Sequence, residues 1–223
     1  MGASLVILRK DLLIEVRRKD SVISMIFFGI LLLFIMNMAI GIGRKVDPEL
    51  AAGILWISIL FSAVLGLGRT FSLEKTNRCI DGLLVSPIAP SSVFVAKNLV
   101  NFSFMLISEA VIIPVFFALY GDNITVRLAP LLVTVLLLNF GFSSVGTLFS
   151  GITAATSRNE VLLPLLLFPV ITPLIAFTVK ATGEIFAGVP FGEYSSWLRL
   201  MAAFGLIFSC AGYLLFDYVM KEN

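Results

Sequence analysis

The sequence holds 223 residues, 59% of them apolar and 13% charged, with 16 Lys and Arg, 14 Asp and Glu, and no His. A soluble domain has roughly 45–50% apolar and about 25% charged residues, so this chain lacks the charge to cover a water-facing surface; disorder and a disulfide-stapled secreted domain are excluded as well. Six membrane spans of about 20 residues would use about 120 residues, which leaves no room for an attached ATPase domain, and the missing His removes the commonest metal ligand and proton shuttle.

The first 20 residues mix charge with apolar residues, unlike a signal peptide, which would follow its charge with a clean apolar run. Placed on a helix, Leu5, Leu8, Leu12 and Val16 share one side, opposite Asp11, Glu15 and Arg18. Arg9, Ile7 and Ile14 spoil the pattern. It reads as an interfacial helix over 1–20 or as a cytosolic extension of the first span. Six apolar stretches follow, over 21–43, 50–68, 94–120, 130–152, 160–179 and 197–219. Asp47-Pro48-Glu49 starts the second with an N-cap, a proline and an acid in the first turn. Gly121 is placed to end the third. Ser157 and Glu160 have capping-box spacing before the fifth. Cys79 and Cys210 lie far apart and read as free thiols.

Orientation comes from Lys and Arg in the short connections. With the N-terminus in the cytoplasm, Arg44, Lys45, Arg127, Lys180 and Arg199 lie outside and the other Lys and Arg inside. The bias places both termini in the cytoplasm with an even number of spans. The loops Arg69–Lys97 and Thr153–Asn159 then face the cytoplasm.

The longest polar interruption lies between the second and third spans. Phe71 to Leu84 lacks proline and can form a helix, on which Glu74, Arg78 and Asp81 share a face and can pair. Gly82 loosens its end, and Pro87 and Pro90 stop it. Such a helix suits either a docking point for a soluble motor or a solvated loop without a partner.

The run Gly53-Ile-Leu-Trp56-Ile, then Arg69, Glu74, Asp81-Gly82-Leu83-Leu84-Val85-Ser86-Pro87 and Ala96-Lys97 resembles the heme exporter protein B family. Its members are the membrane permease subunits of cytochrome c maturation ABC transporters. The resemblance covers most of the chain. Gly68 stands where many relatives carry Glu, so an acid–arginine pairing there is not carried over. The resemblance implies an all-α polytopic membrane protein like the type-2 ABC exporters, with residues 1–20 as an elbow helix and 71–84 as the coupling helix. Arg69, Glu74, Arg78, Asp81 and Gly82 would then meet a separate ABC ATPase subunit, present in two copies. Further implied partners are a second copy of this permease, a heme-handling membrane protein, a small single-span subunit and a periplasmic heme chaperone. ATP hydrolysis on the partner, with its Mg, would drive release of the heme-loaded chaperone. The location would be the bacterial cytoplasmic membrane.

The residues bear on this independently. No Gly-x-x-x-x-Gly-Lys-Ser/Thr occurs, so the sequence holds no phosphate-binding loop and any ATP chemistry belongs to another chain. A bis-histidine heme site is impossible without His. No cofactor, metal or nucleic acid is expected on this chain, and no enzymatic activity of its own. Within the spans Glu109, Asn101 and Asn139 are the candidate polar residues, with Ser108 beside them. Glu109 reads as a coupling or gating site or as a hydrogen-bond clasp between helices. Pro114 is set to kink the third span. Pro164, Pro169 and Pro173 remove three backbone donors from the fifth, which predicts that it faces other helices. Gly141, Ser143, Ser144, Gly146, Ser150 and Gly151 allow close packing of the fourth. Residues 182–196 read as an outer amphipathic piece. Two further functions stay open: a type-2 exporter permease for glycan, lipid or drug, and a proton-coupled secondary transporter using Glu109.

Overall fold

The structure, a computed structural model, describes residues 20–76, 90–121, 124, 127–156 and 162–221. The proposed elbow over 1–20, except Asp20, and the segment 77–89 lie outside the described residues. Six helices occur among the described residues: α1 (Asp20–Ile40), α2 (Pro48–Thr76), α3 (Pro90–Tyr120), α4 (Leu128–Thr156), α5 (Leu162–Phe186) and α6 (Phe191–Lys221). Each contains a stretch long and apolar enough to cross a membrane, and no strand occurs among the described residues. One end of the bundle gathers Asp20, Thr76, Pro90, Thr156, Leu162 and Lys221; it is called here the terminal end. The distal end gathers the short connections 41–47, 121–127 and 187–190.

Local chemistry sets the helix ends. Gly41 follows α1 with φ 106° and returns its N–H to the Asn37 carbonyl at 3.1 Å. Gly188 closes α5 with φ 77°, donating to Ile185 while Val189 donates to Glu184. Both sit in the left-handed region that glycine enters without a Cβ penalty. Gly121 follows α3 without a left-handed turn. Asp47 Oδ1 accepts the N–H groups of Glu49 and Leu50 at 3.2 Å each, which caps α2 as its sequence predicts.

The apolar stretch of the second span is Pro48–Leu67, but α2 does not end with it: the helix continues to Thr76, through the first residues of the predicted coupling helix. Nothing between Leu50 and Thr76 breaks a helix, because glycine only weakens one and no proline occurs before Pro87. The outer amphipathic piece is not separate either. Residues 182–186 end α5, and α6 begins at Phe191 immediately after Pro190. α5 faces other helices through Leu163, Leu167, Ile171, Leu174 and Thr178, while Pro169 and Pro173 are exposed on an unbroken helix and Pro164 is half-buried.

The core runs along α2, α3 and α4, with α5 and α6 packed against them. Leu55, Trp56, Ile112, Phe116, Leu138 and Phe142 are fully buried. α4 makes room with its glycines: Gly146 meets the Leu67 side chain, Gly151 the Phe216 ring, and Gly141 the side chains of Leu174 and Phe204. α1 is the peripheral helix, held by Ser62 Oγ donating to the Met25 carbonyl at 2.7 Å and by Tyr120 donating to the Leu33 carbonyl at 3.1 Å.

Candidate functional site

A polar seam between α3 and α4 crosses the middle of the bundle. Asn139 Nδ2 on α4 donates to Glu109 Oε2 on α3 at 2.5 Å, and both residues are buried. Toward the terminal end, Asn101 donates to Thr147 at 2.9 Å and Asn98 to Ser144 at 3.2 Å. Glu109 to Asn101 and Asn139 to Thr147 are both steps of eight residues, in opposite senses, so the rungs follow the antiparallel register. Burial of an amide or carboxyl without partners costs about 1–3 kcal/mol, which is why these side chains sit opposite one another.

The seam is incompletely paired. Glu109 Oε1, Asn139 Oδ1, Asn98 Oδ1 and Ser150 Oγ are buried with no hydrogen-bond partner among the described residues. Ser108, predicted to line the same interior, instead donates back to the Met105 carbonyl on its own helix at 2.8 Å. Asn101 and Glu109 lie eight residues apart, about 12 Å along α3, so they belong to different rungs and not to one pocket. The structure therefore brings Glu109 and Asn139 together and leaves Asn101 with Thr147. Sequence reading missed Asn98 and Thr147, and it took Ser144 for a packing residue only. The available signal was the three-residue spacing of Asn98 and Asn101, which repeats an amide on one helix face.

At the terminal end, the start of α3 is locked to the end of α6. Ser91 N–H donates to Asp217 Oδ1 at 3.2 Å, which satisfies one of the first-turn donors that a helix leaves unpaired. The Phe94 and Phe216 rings meet at 5.5 Å, and Gly212 on α6 offers Phe94 a side without a Cβ. Phe94, Phe216, Val93, Ala96 and Leu148 form a second apolar cluster, separate from the main core. Lys97 is buried beside it at 1% exposure. Of the predicted coupling residues, Arg69 and Glu74 fall on the last two turns of α2. Arg78, Asp81 and Gly82 lie outside the described residues.

At the distal end, α2 meets α5 so closely that a Cβ on Gly183 would stand 3.2 Å from the Glu49 Cα. Trp56 Nε1 donates to Thr182 Oγ1 at 2.8 Å between the same helices. Lys180 Nζ contacts Glu49 Oε1 at 2.5 Å with both side chains more than half exposed. Trp197 donates to Glu184 Oε1 at 3.1 Å. Asp47, Glu49, Lys180 and Glu184 line a cavity of about 300 Å³. Among the described residues no group of His, Cys, Asp or Glu is arranged to hold a metal ion. The described residues thus hold a polar seam at mid-bundle, an α3–α6 contact at one end and a charged cavity at the other.

Known proteins share this chain's sequence pattern. The profile of a family described as CcmB protein matches residues 2–212. Heme exporter protein B of Haemophilus influenzae is 23% identical over 195 residues, covering 87% of this chain and 88% of that protein. Proteins of the same name from Rhodobacter capsulatus, 26% identical over 77% of this chain and 78% of theirs, and Paracoccus denitrificans, 29% identical over 72% of this chain and 76% of theirs, are also similar.

Proposed function

The chain belongs to the CcmB protein family, and from that premise we propose that it is the membrane permease subunit of a heme exporter ABC complex serving cytochrome c maturation. The family match over residues 2–212 carries this reading. It agrees with a chain that holds six apolar helices and no phosphate-binding loop. A separate ATPase would dock at the terminal end, on the segment after Thr76 that includes Arg78, Asp81 and Gly82. A heme-handling membrane protein and a periplasmic heme chaperone would hold the heme itself, since this chain has no His. The terminal end then lies in the cytoplasm of a bacterial cell, as the excess of Lys and Arg on that side supports.

Asp81→Lys tests the docking point. Complexes purified from native membranes should lose the ATPase with this variant while the spans keep their helicity. Unchanged ATPase co-purification would remove the coupling role from Asp81 and its segment.

A further inference from the structure

The proposed motor-binding segment lies between Thr76 and Pro90, so the end of α2 precedes it and the start of α3 follows it. The start of α3 is tied to the far end of the chain. Ser91 N–H donates to Asp217 Oδ1 at 3.2 Å, a pairing across 126 residues of sequence. Asp217 is half-buried, and its carboxylate suits the positive end of a helix dipole. One turn further on, the Phe94 ring packs on Phe216 at 5.5 Å, in the gap left by Gly212. A pull on Pro90 therefore reaches α6 within the first turns of α3.

α6 is built to carry that displacement. It runs unbroken from Phe191 to Lys221, 31 residues without a proline, and Trp197 lies about 30 Å along it from Asp217. Between these two positions, rings seat on glycines. A Cβ on Gly151 would strike the Phe216 ring, one on Gly205 the Phe140 ring, and one on Gly141 the Phe204 ring. All three seats join α6 to α4. Close-packed contacts transmit strain and do not absorb it: a slide of α6 along its axis drives each ring against the side chains beside its glycine. α4 and α6 thus move as one body.

The other end of that body reaches the charged mouth. Trp197 Nε1 donates to Glu184 Oε1 at 3.1 Å, and its ring stacks on Phe177 at 6.2 Å. Arg127, just before α4, donates to the Val189 carbonyl just after α5 at 3.0 Å. Glu184 lines the cavity from α5 and Glu49 lines it from α2. Each flank of the motor-binding segment thus leads to one wall of the mouth, α2 to Glu49 and the α4–α6 body to Glu184. We propose that Asp217 is a positioning residue that couples the exit of the motor-binding segment to the α4–α6 body, and so sets the separation of the two walls during the ATP cycle. The inference rests on the reading of this chain as the permease of an ABC complex.

Nitroxide labels on the exposed positions Leu50 and Ala187, one on each wall, test it in the complex purified with its ATPase. They are attached to Leu50→Cys and Ala187→Cys in a chain carrying Cys79→Ser and Cys210→Ser. A non-hydrolysable ATP analogue with Mg should shift the label distance when Asp217 is present. Asp217→Ala should abolish the shift while the ATPase stays bound. Asp217→Asn should restore it, since the amide oxygen still accepts the Ser91 N–H. A merely structural Asp217 would alter stability and leave the nucleotide response intact, so a full shift in Asp217→Ala overturns the proposal. Where Asp217→Ala does not accumulate, Trp197→Phe decides, because it cuts the same route at the mouth. Loss of most of the shift with that variant supports the proposal, and a full shift overturns it. A bound ATPase with no shift in the chain that keeps Asp217 overturns the proposal and leaves the permease reading standing. An ATPase that does not co-purify at all removes the permease reading, and the proposal falls with it.

Discussion

Leucine substitutions at Glu109 and Asn139, singly and together, distinguish a clasp from a working acid. The two side chains share one hydrogen bond of 2.5 Å at 1% and 0% exposure. Glu109→Leu leaves the Asn139 amide wholly unpaired in the core, which costs about 1–3 kcal/mol. Asn139→Leu strands the carboxyl in the same way, at a similar cost of about 1–3 kcal/mol. Glu109 Oε1 and Asn139 Oδ1 already lack partners, so the pair itself is worth little beyond the average of about 0.6 kcal/mol for interhelical hydrogen bonds in membranes. The double variant should therefore fall within about 1 kcal/mol of the parent, well above the sum of the single losses. Steric trapping in micelles reads these differences, since each 1.4 kcal/mol is a tenfold change in the equilibrium. A Glu109→Leu chain as stable as the parent, or a double variant that merely adds the single losses, would refute the clasp. Glu109→Gln keeps the shape and an acceptor for Asn139, so it should keep stability and activity together. A stable but inactive Glu109→Gln chain would transfer Glu109 to the coupling or proton-carrying role.

The joint between α3 and α6 predicts a contrast between two glycines. Gly212→Ala drives a Cβ into the Phe94 ring, which is fully buried against Phe216 and has nowhere to go; overpacking of this kind costs about 1–3 kcal/mol. Gly66→Ala meets the side chain of Met25 instead, whose three rotatable bonds let it give way, so its cost should stay below about 1 kcal/mol. The same unfolding measurement compares them, and equal losses would show that ring rigidity is not what decides.

Six helices were legible because apolar length and capping chemistry are local. Asp47-Pro48-Glu49 announces the start of α2 within three residues, and Asp47 caps it as expected. The end of α2 was not legible in the same way: Gly66 and Gly68 weaken a helix without stopping it, and the true boundary depends on contacts such as Leu67 against Gly146. Glu109 stood out in the sequence as an acid in a span, yet its partner lies 30 residues away and Thr147 lies 46 from Asn101. Pairings at that distance depend on helix rotation, which an apolar run does not encode, because a membrane helix is apolar on its lipid face and its core face alike. The side taken by the α5 prolines was hidden for the same reason: only the fold shows Pro169 and Pro173 exposed and Pro164 half-buried.

α2 is the element that joins the charged mouth to the start of the proposed motor-binding segment. Its 29 residues span about 44 Å, from Glu49 at the charged mouth to Thr76, where the proposed motor-binding segment begins. Trp56 and Gly183 hold it against α5 close to the mouth. From Trp56 the helix runs about 30 Å to Thr76 but about 10 Å to Glu49. A tilt about this contact therefore moves the motor end roughly three times as far as the mouth, and in the opposite direction. The Lys180–Glu49 pair is an exposed contact worth about 0–1 kcal/mol, so it would resist such a tilt little. Trp56→Phe removes the directed bond to Thr182 and leaves a cavity where the larger indole stood, at a stability cost of about 1–3 kcal/mol. If α2 pivots there, the variant should bind the ATPase normally and hydrolyse ATP while releasing less heme-loaded chaperone per ATP. Equal release per ATP at that stability would place the pivot elsewhere along α2.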